Sequence, residues 1–263
     1  MSMDYLERGR RVFEVEIQEL ERLSAGLGDS FSAAVSDLAE CREAGHKIIT
    51  LGIGKCSHIA DKIAATMTST GTPAVALNSM NALHGDLGIV QSGDVVLALS
   101  FSGETEELLN LLSALKRFDV RLIAITGNGD SSLARHADVV LDLLVEREAC
   151  PLELAPTSST TCMLVLGDAL AMVLLEEAGF GSEDFARYHP AGTLGRKLLL
   201  RVSEIMRKRE GVAVVAPEVN VPDVLEAMTR QRSGAAIVEG ADGRLAGIFT
   251  HGDFVRSFRT MGA

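Results

Sequence analysis

The chain has 263 residues, 47% of them apolar and 23% charged, which excludes a disordered polymer and is long enough for one medium domain with an appendage or for two domains. Its 25 Lys and Arg stand against 36 Asp and Glu, a net charge of −11. That field repels phosphate backbones and anionic membranes at long range and disfavours general nucleic-acid binding. The four cysteines, Cys41, Cys56, Cys150 and Cys162, form no CxxC pair and read as reduced and mostly buried. The charged N-terminus MSMDYLERGRR lacks the apolar core of a signal peptide, and the longest apolar run, Cys162 to Leu175, contains Asp168 and is short of a membrane span. The expectation is a cytoplasmic protein.

In chain order, two amphipathic helices come first, carried by Leu6, Val12, Phe13, Val15, Ile17 and Leu20 and then by Phe31, Val35 and Leu38 at helical spacing. Short apolar runs then alternate with helical patterns: HKIITLGIG, a helix over 54 to 70, PAVALN, a loop with HGDLG, DVVLALSFSG, a helix over 104 to 118, VRLIAITGN, a short helix over 131 to 136, and VVLDLLV. Alternating strand and helix predicts a mostly parallel sheet, and runs such as IITLGI and VVLALS lack polar alternation because both faces are covered. A helix over 159 to 178 is apolar nearly all round, which points to burial against more than its own sheet and, most simply, to a homo-oligomer interface.

Residues 1 to 202 hold 17 basic and 28 acidic side chains, whereas 203 to 263 hold 8 of each. This asymmetry places a domain boundary after Val202. The shorter segment reads as strand, helix opened by Val221-Pro222-Asp223, strand, Asp242-Gly243 turn, strand and helix.

Ligands of such sheets sit at the carboxyl edge of the strands, so the strand-to-helix turns matter most. Gly52-Ile53-Gly54-Lys55-Cys56-Ser57 lets backbone amides approach an anion at a helix start, yet it is neither a dinucleotide fingerprint nor a P-loop. Ser100-Phe101-Ser102-Gly103-Glu104-Thr105-Glu106-Glu107 offers three hydroxyls and free amides. It suits a phosphate or ordinary capping equally, although Glu107 lies too far into a helix begun at Glu104 to be a cap. A third loop, Arg147 to Thr161, carries two prolines and five hydroxyl residues, Thr157 to Thr161, before the apolar helix. Finally His189 stands before Pro190 in a Tyr188 to Lys197 segment.

Taken together, GIGKCSHIADKIAATMTSTGTP, HGDLG, SFSGETEE, REACPLELAPTSSTT, GDALA and YHPAGTLGRKLLLRVSEIM resemble the arabinose-5-phosphate isomerases, in which a sugar-isomerase (SIS) domain precedes CBS modules. The resemblance implies an α/β fold: a three-layer, doubly wound, mostly parallel five-stranded sheet of flavodoxin-like kind over residues 1–202, with a small α+β CBS-like unit over 203–263. It implies interconversion of D-ribulose 5-phosphate and D-arabinose 5-phosphate for Kdo and lipopolysaccharide synthesis, a cytoplasmic homotetramer built by the SIS domain, a phosphosugar substrate, and no required cofactor. Other SIS phosphosugar isomerases and non-catalytic phosphosugar-binding regulators are the alternatives. By position, Lys55, Glu107, Glu148 and His189 carry the catalytic roles, with one of the two glutamates moving the carbon-bound proton. Ser100, Ser102 and Thr105, joined by Ser158 and Ser159, form the phosphate cradle, His84 contacts sugar, and Gly54, Gly71 and Thr72 complete the substrate set. Asn78 replaces the His with which relatives bind an inhibitory metal, so no metal site is expected. One CBS unit where the family carries two implies half an effector cleft and weak nucleotide binding.

Overall fold

The computed structural model describes residues 4–189 and 201–261; Pro190 to Leu200, which include most of the HPAGTLGRKLLL motif, lie outside the described residues. The chain divides into two compact units, Met1–Leu198 and Leu199–Ala263.

In the first unit α1 (Tyr5–Ala25) and α2 (Asp29–Glu43) precede β1 (Ile48–Gly52), α3 (Lys55–Ser69), β2 (Ala74–Ala76) and the short α4 (Ser79–Ala82). Then follow β3 (Val95–Leu99), α5 (Glu106–Leu115), β4 (Arg121–Thr126), α6 (Ser132–His136), β5 (Val139–Asp142), α7 (Ser158–Glu177) and α8 (Ser182–Tyr188). The five strands are all parallel and ordered β2-β1-β3-β4-β5, so the winding direction reverses between β1 and β3.

Each central strand is buried on both faces, which is why its sequence runs apolar without alternation. On one face Ile48, Val95, Leu97, Leu99, Ile123 and Ile125 pack with Ala60, Ile63 and Met67 of α3 and with Met163, Leu166 and Leu170 of α7. On the other, Ile49, Leu51, Val96, Ala98 and Ala124 meet Leu108, Leu111, Leu112 and Leu115 of α5. A fully buried Leu or Ile contributes about 1.5–3 kcal/mol, so these two layers supply most of the driving force of this unit.

Helix α7 is surrounded in part within the chain, because it packs against α3, α1 and α2 together. Only Val165 and Met172, two turns apart, remain exposed among its large apolar side chains. Among the described residues α7 is also the one helix long and apolar enough to cross a membrane, and half of it is buried inside the protein. Helix α1 keeps a second apolar stripe, Tyr5, Leu6, Phe13 and Ile17, on its outer side. All four cysteines are free, but only Cys41 and Cys162 are fully buried.

Helices α3 and α7 run side by side in the same direction: Cys56 Sγ lies 3.8 Å from Met163 Sδ, and the Lys62 ammonium pairs with Asp168. Their closest approach needs Gly167, where a Cβ would fall 2.3 Å from Ile63 Cδ1.

The second unit has a three-stranded sheet, β6 (Ala213–Val215), β7 (Ala235–Glu239) and β8 (Leu245–Thr250), with β6 parallel and β8 antiparallel to β7. The helix Val221–Arg230, with Pro222 in its first turn where no amide partner is lost, packs Val224 and Met228 against Ala213 and Ala236.

Replacing Gly167 by Ala is expected to cost about 1–2 kcal/mol, because overpacking against Ile63 outweighs the gain in helix propensity. In an Ile63→Ala background the same change should be neutral or stabilising. Urea unfolding of the four chains reads this, and an equal cost in both backgrounds would contradict the close approach.

Candidate functional site

Because every strand of the parallel sheet exits at one edge, the helices that follow β1 and β3 begin there, on adjacent strands and opposite faces. The first turn is tight: a Cβ on Gly52 would sit 2.7 Å from the Cys56 carbonyl carbon, and Gly54 has φ 60°. Both glycines are therefore demanded by the backbone. Gly54 is the N-cap of α3 and provides no side-chain cap; the Cys56 and Ser57 amides donate to the Ile53 and Gly54 carbonyls at 3.2 and 3.1 Å, beside the exposed Lys55.

The second turn is braced from within. Ser100, buried, accepts from the Gly103 amide at 3.1 Å, and its hydroxyl lies 3.2 Å from that of Thr105. Gly103 has φ 65°, and a Cβ there would strike Ser131 Oγ. Ser102 is exposed and accepts from the Glu104 amide at 3.3 Å. Glu104 instead reaches across to accept from the Ser132 amide at 2.7 Å, and the Ser132 hydroxyl and amide together draw its carboxyl below the ordinary value. Helix α5 starts at Glu106 with Thr105 as N-cap and no side-chain cap bond. The helix thus begins two residues later than its sequence pattern indicates, and Glu107, taken from the sequence to lie beyond capping range, stands in the first turn, where an acid is favoured by the helix dipole.

The third helix start is different. Glu148 Oε2 accepts from the Thr157 amide at 2.7 Å, the Thr157 hydroxyl at 2.9 Å and the Ser159 amide at 3.2 Å, closing over the first turn of α7. Burial opposes its charge, but donation by Ser159 and Thr157 outweighs burial and holds the carboxyl below the ordinary value. The hydroxyls of Ser158 and Ser159 are buried and unpartnered. Since α7 runs alongside α3 in the same direction, these serines stand at the same end of the molecule as Lys55.

One chain thus gathers Gly54, Lys55, Ser100, Ser102, Thr105, Glu107, Glu148, Ser158 and Ser159 at the carboxyl edge. His84, exposed, follows α4, which is tied to the β1 exit by the Ser79 hydroxyl donating to the Gly52 carbonyl at 3.0 Å. Gly71 and Thr72 fall at the opposite, amino edge: they form the turn into β2, Gly71 with φ 93° against the Phe180 ring, beside Pro73, whose carbonyl accepts from Ile48 at the start of β1. His189 is also apart from the cradle. Its ring stacks on Phe185 at 4.0 Å and lines a hollow of about 460 Å³ along the middle and late turns of α3 and over β2. Asn78 borders a smaller hollow of about 150 Å³ with Gly52, Gly54 and Ser57, and among the described residues no cluster of His, Cys, Asp and Glu is arranged to hold a metal. The bracing by Glu104 and the contacts of α1 described below were not read from the sequence, since their partners are 28 and 127 residues away.

Because Glu148 caps α7, Glu148→Gln is expected to lower stability by about 1 kcal/mol at neutral pH, a Gln oxygen replacing only part of the carboxylate's bonding. The group's folded pKa is lowered, so its contribution is present above the ordinary value of 4.5 and is lost as pH falls through the folded value. Thermal melts across this range should show the gap to the unmodified chain closing in acid. A gap that is absent at neutral pH would contradict the cap.

Residues 42–173 match the SIS domain family and residues 202–260 the CBS domain family. The Pseudomonas aeruginosa arabinose 5-phosphate isomerase KdsD is 46% identical over 256 residues, 97% of this chain and 78% of that protein. The Escherichia coli K12 arabinose 5-phosphate isomerase GutQ is 44% identical over 97% of this chain and 79% of its own length. Among solved structures, Escherichia coli CFT073 c3406 in complex with arabinose 5-phosphate superposes with a TM-score of 0.68 at 38% identity, covering 72% of this chain and 100% of that one. A Francisella tularensis phosphoheptose isomerase shares the fold, with a TM-score of 0.55 at 20% identity over 66% of this chain and 100% of that one. On sequence and architecture together, the chain belongs to the arabinose 5-phosphate isomerase family of SIS-domain proteins.

Proposed function

We propose that this chain interconverts D-ribulose 5-phosphate and D-arabinose 5-phosphate. The carrying observation is the contrast between helix starts: α3 and α5 open uncapped at the reversal point of the sheet, whereas α7 is already closed by the Glu148 carboxylate. An anionic phosphate is drawn to the first two and repelled from the third, which fixes the direction in which a phosphosugar lies. The similarity to named arabinose 5-phosphate isomerases supports this choice of sugar.

Isomerisation moves one proton between C1 and C2 through a cis-enediol, a redox-neutral rearrangement whose chemistry asks for a base and for charge stabilisation rather than a redox cofactor. Glu107, exposed in the first turn of α5, is assigned the carbon-bound proton. Glu148, its anion satisfied by three donors, is a weak proton acceptor and is assigned instead to holding the sugar hydroxyls with Ser158 and Ser159. Lys55 stabilises the developing enediolate. His189 assists ring opening, and since one chain leaves His189, Gly71 and Thr72 away from the cradle, their roles call for a neighbouring copy. The outer stripe of α1 and the exposed Val165 and Met172 of α7 are the surfaces proposed to build that homotetramer. The setting proposed is the cytoplasm, in supply of the acid Kdo.

Incubation with ribulose 5-phosphate in deuterium oxide, without added metal, should give arabinose 5-phosphate labelled at C2. Glu107→Gln should lose label incorporation and kcat by about 10²- to 10⁴-fold, while Glu148→Gln should mainly raise KM. No turnover of ribulose 5-phosphate alongside efficient turnover of another phosphosugar would overturn the substrate; unimpaired exchange in Glu107→Gln would overturn its assignment.

A further inference from the structure

Helix α1 does more than cover α7. Glu19 on α1 is 1% exposed, and its Oε2 accepts both from Arg22 Nη1 at 2.5 Å and from the Glu146 amide at 3.0 Å. Arg22 in turn pairs with the Glu146 carboxylate at 2.9 Å. One turn away, Arg147 Nη2 donates to Gln18 Oε1 at 2.8 Å. The two residues immediately before Glu148 are therefore held by α1.

Helix α1 grips the other side of Glu148 too. Thr161, in the first turn of α7, donates to Glu16 Oε2 at 3.0 Å. At the end of α1, Gly26 leaves room for Leu144: a Cβ on Gly26 would meet Leu144 Cδ1 at 2.1 Å. Leu144 itself adopts φ 52°, a backbone conformation unusual for a residue with a Cβ. The left-handed kink that leads β5 toward Glu148 is thus matched to the α1 terminus. Buried Cys162 registers the crowding of acids here: its thiol is pushed up to about 12, by burial first and then by Glu19, Glu148 and Glu16.

A buried carboxylate is costly unless its partners compensate it, and Glu19 commits its charge to one arginine and one backbone amide two residues from Glu148. We propose that Glu19 is a positioning residue of the site: by binding the Glu146 amide and Arg22 it sets where Glu148 lies across the first turn of α7, and through that cap it fixes Ser158 and Ser159 for the sugar. The inference rests on the isomerase reading for its catalytic consequence, but not for its geometric one.

Two readouts on the full chain keep these separable. The first is the Glu148 carboxyl titration followed by carbon-13 NMR and assigned with Glu148→Gln. The groups that bond it are Thr157 and Ser159 of α7, and it shares with Glu16 and Glu19 of α1 an influence on the Cys162 thiol. In Glu19→Ala the Glu148 carboxyl should move up toward the ordinary glutamate value as its donors are displaced, and Glu19→Gln, which still accepts from the Glu146 amide, should restore it. The second is turnover of ribulose 5-phosphate. Glu19→Ala should raise KM at least tenfold with a smaller change in kcat, following Glu148→Gln, and Glu19→Gln should stay within threefold of the unmodified chain. Glu19→Met, closer in volume, takes the place of the alanine variant if that chain does not fold. An unmoved Glu148 titration in a folded Glu19→Ala or Glu19→Met chain overturns the proposal, whether or not the chain turns over this sugar. An inactive unmodified chain overturns the isomerase reading alone.

Discussion

Everything at the site follows from the parallel pairing of β1 with β3. Parallel neighbours must be joined by a crossover, so all strands leave the sheet at the same edge and each helix that follows starts there. With order β2-β1-β3-β4-β5 the crossovers to left and right part between β1 and β3, and α3 and α5 diverge to opposite faces. Both helices therefore begin at the carboxyl edge on adjacent strands, neither with a side-chain cap. Topology alone places these two helix starts side by side, and Gly52, Gly54, Gly103 and Ser100 keep the turns before them tight.

Two of the acids at this edge are occupied by neighbouring helices. Glu104 and Glu148 are each engaged at the start of another helix: Glu104 accepts from the Ser132 amide at α6 and Glu148 from the Thr157 and Ser159 amides at α7. Both carboxyls are held below their ordinary values by these donors. Their charge is thus offset locally at the starts of α6 and α7.

Much of this was legible in the sequence, for a physical reason. The strands IITLG and VVLAL carry no polar alternation because both their faces are buried, and the glycines of the turns mark where the backbone bends tightly at the carboxyl edge. What escaped was non-local. Periodicity over 159 to 178 shows that α7 is surrounded, but not that α1 and α2 do the surrounding. Acids in SGETEE indicate a helix start, but whether Glu104 caps its own helix or α6 depends on how far β3 and β4 bring those loops together. The three donors to Glu148, nine to eleven residues on, are likewise not legible in its local sequence. And the motif residues Gly71, Thr72 and His189, carried by resemblance, stand away from the cradle in a single chain, because αβ turns return to the amino edge and α8 lies over β2.

The central claim is that phosphate enters at the uncapped starts of α3 and α5 and not at α7. Amide chemical-shift mapping by NMR with arabinose 5-phosphate, repeated with inorganic phosphate, tests it most directly. The account predicts that both ligands move the amides of Gly54 to Cys56 and of Ser102 to Glu107, and that only the sugar phosphate also moves those of Ser158 and Ser159. Shifts centred on the amino-edge turn around Gly71, or inorganic phosphate acting first at the start of α7, would contradict it.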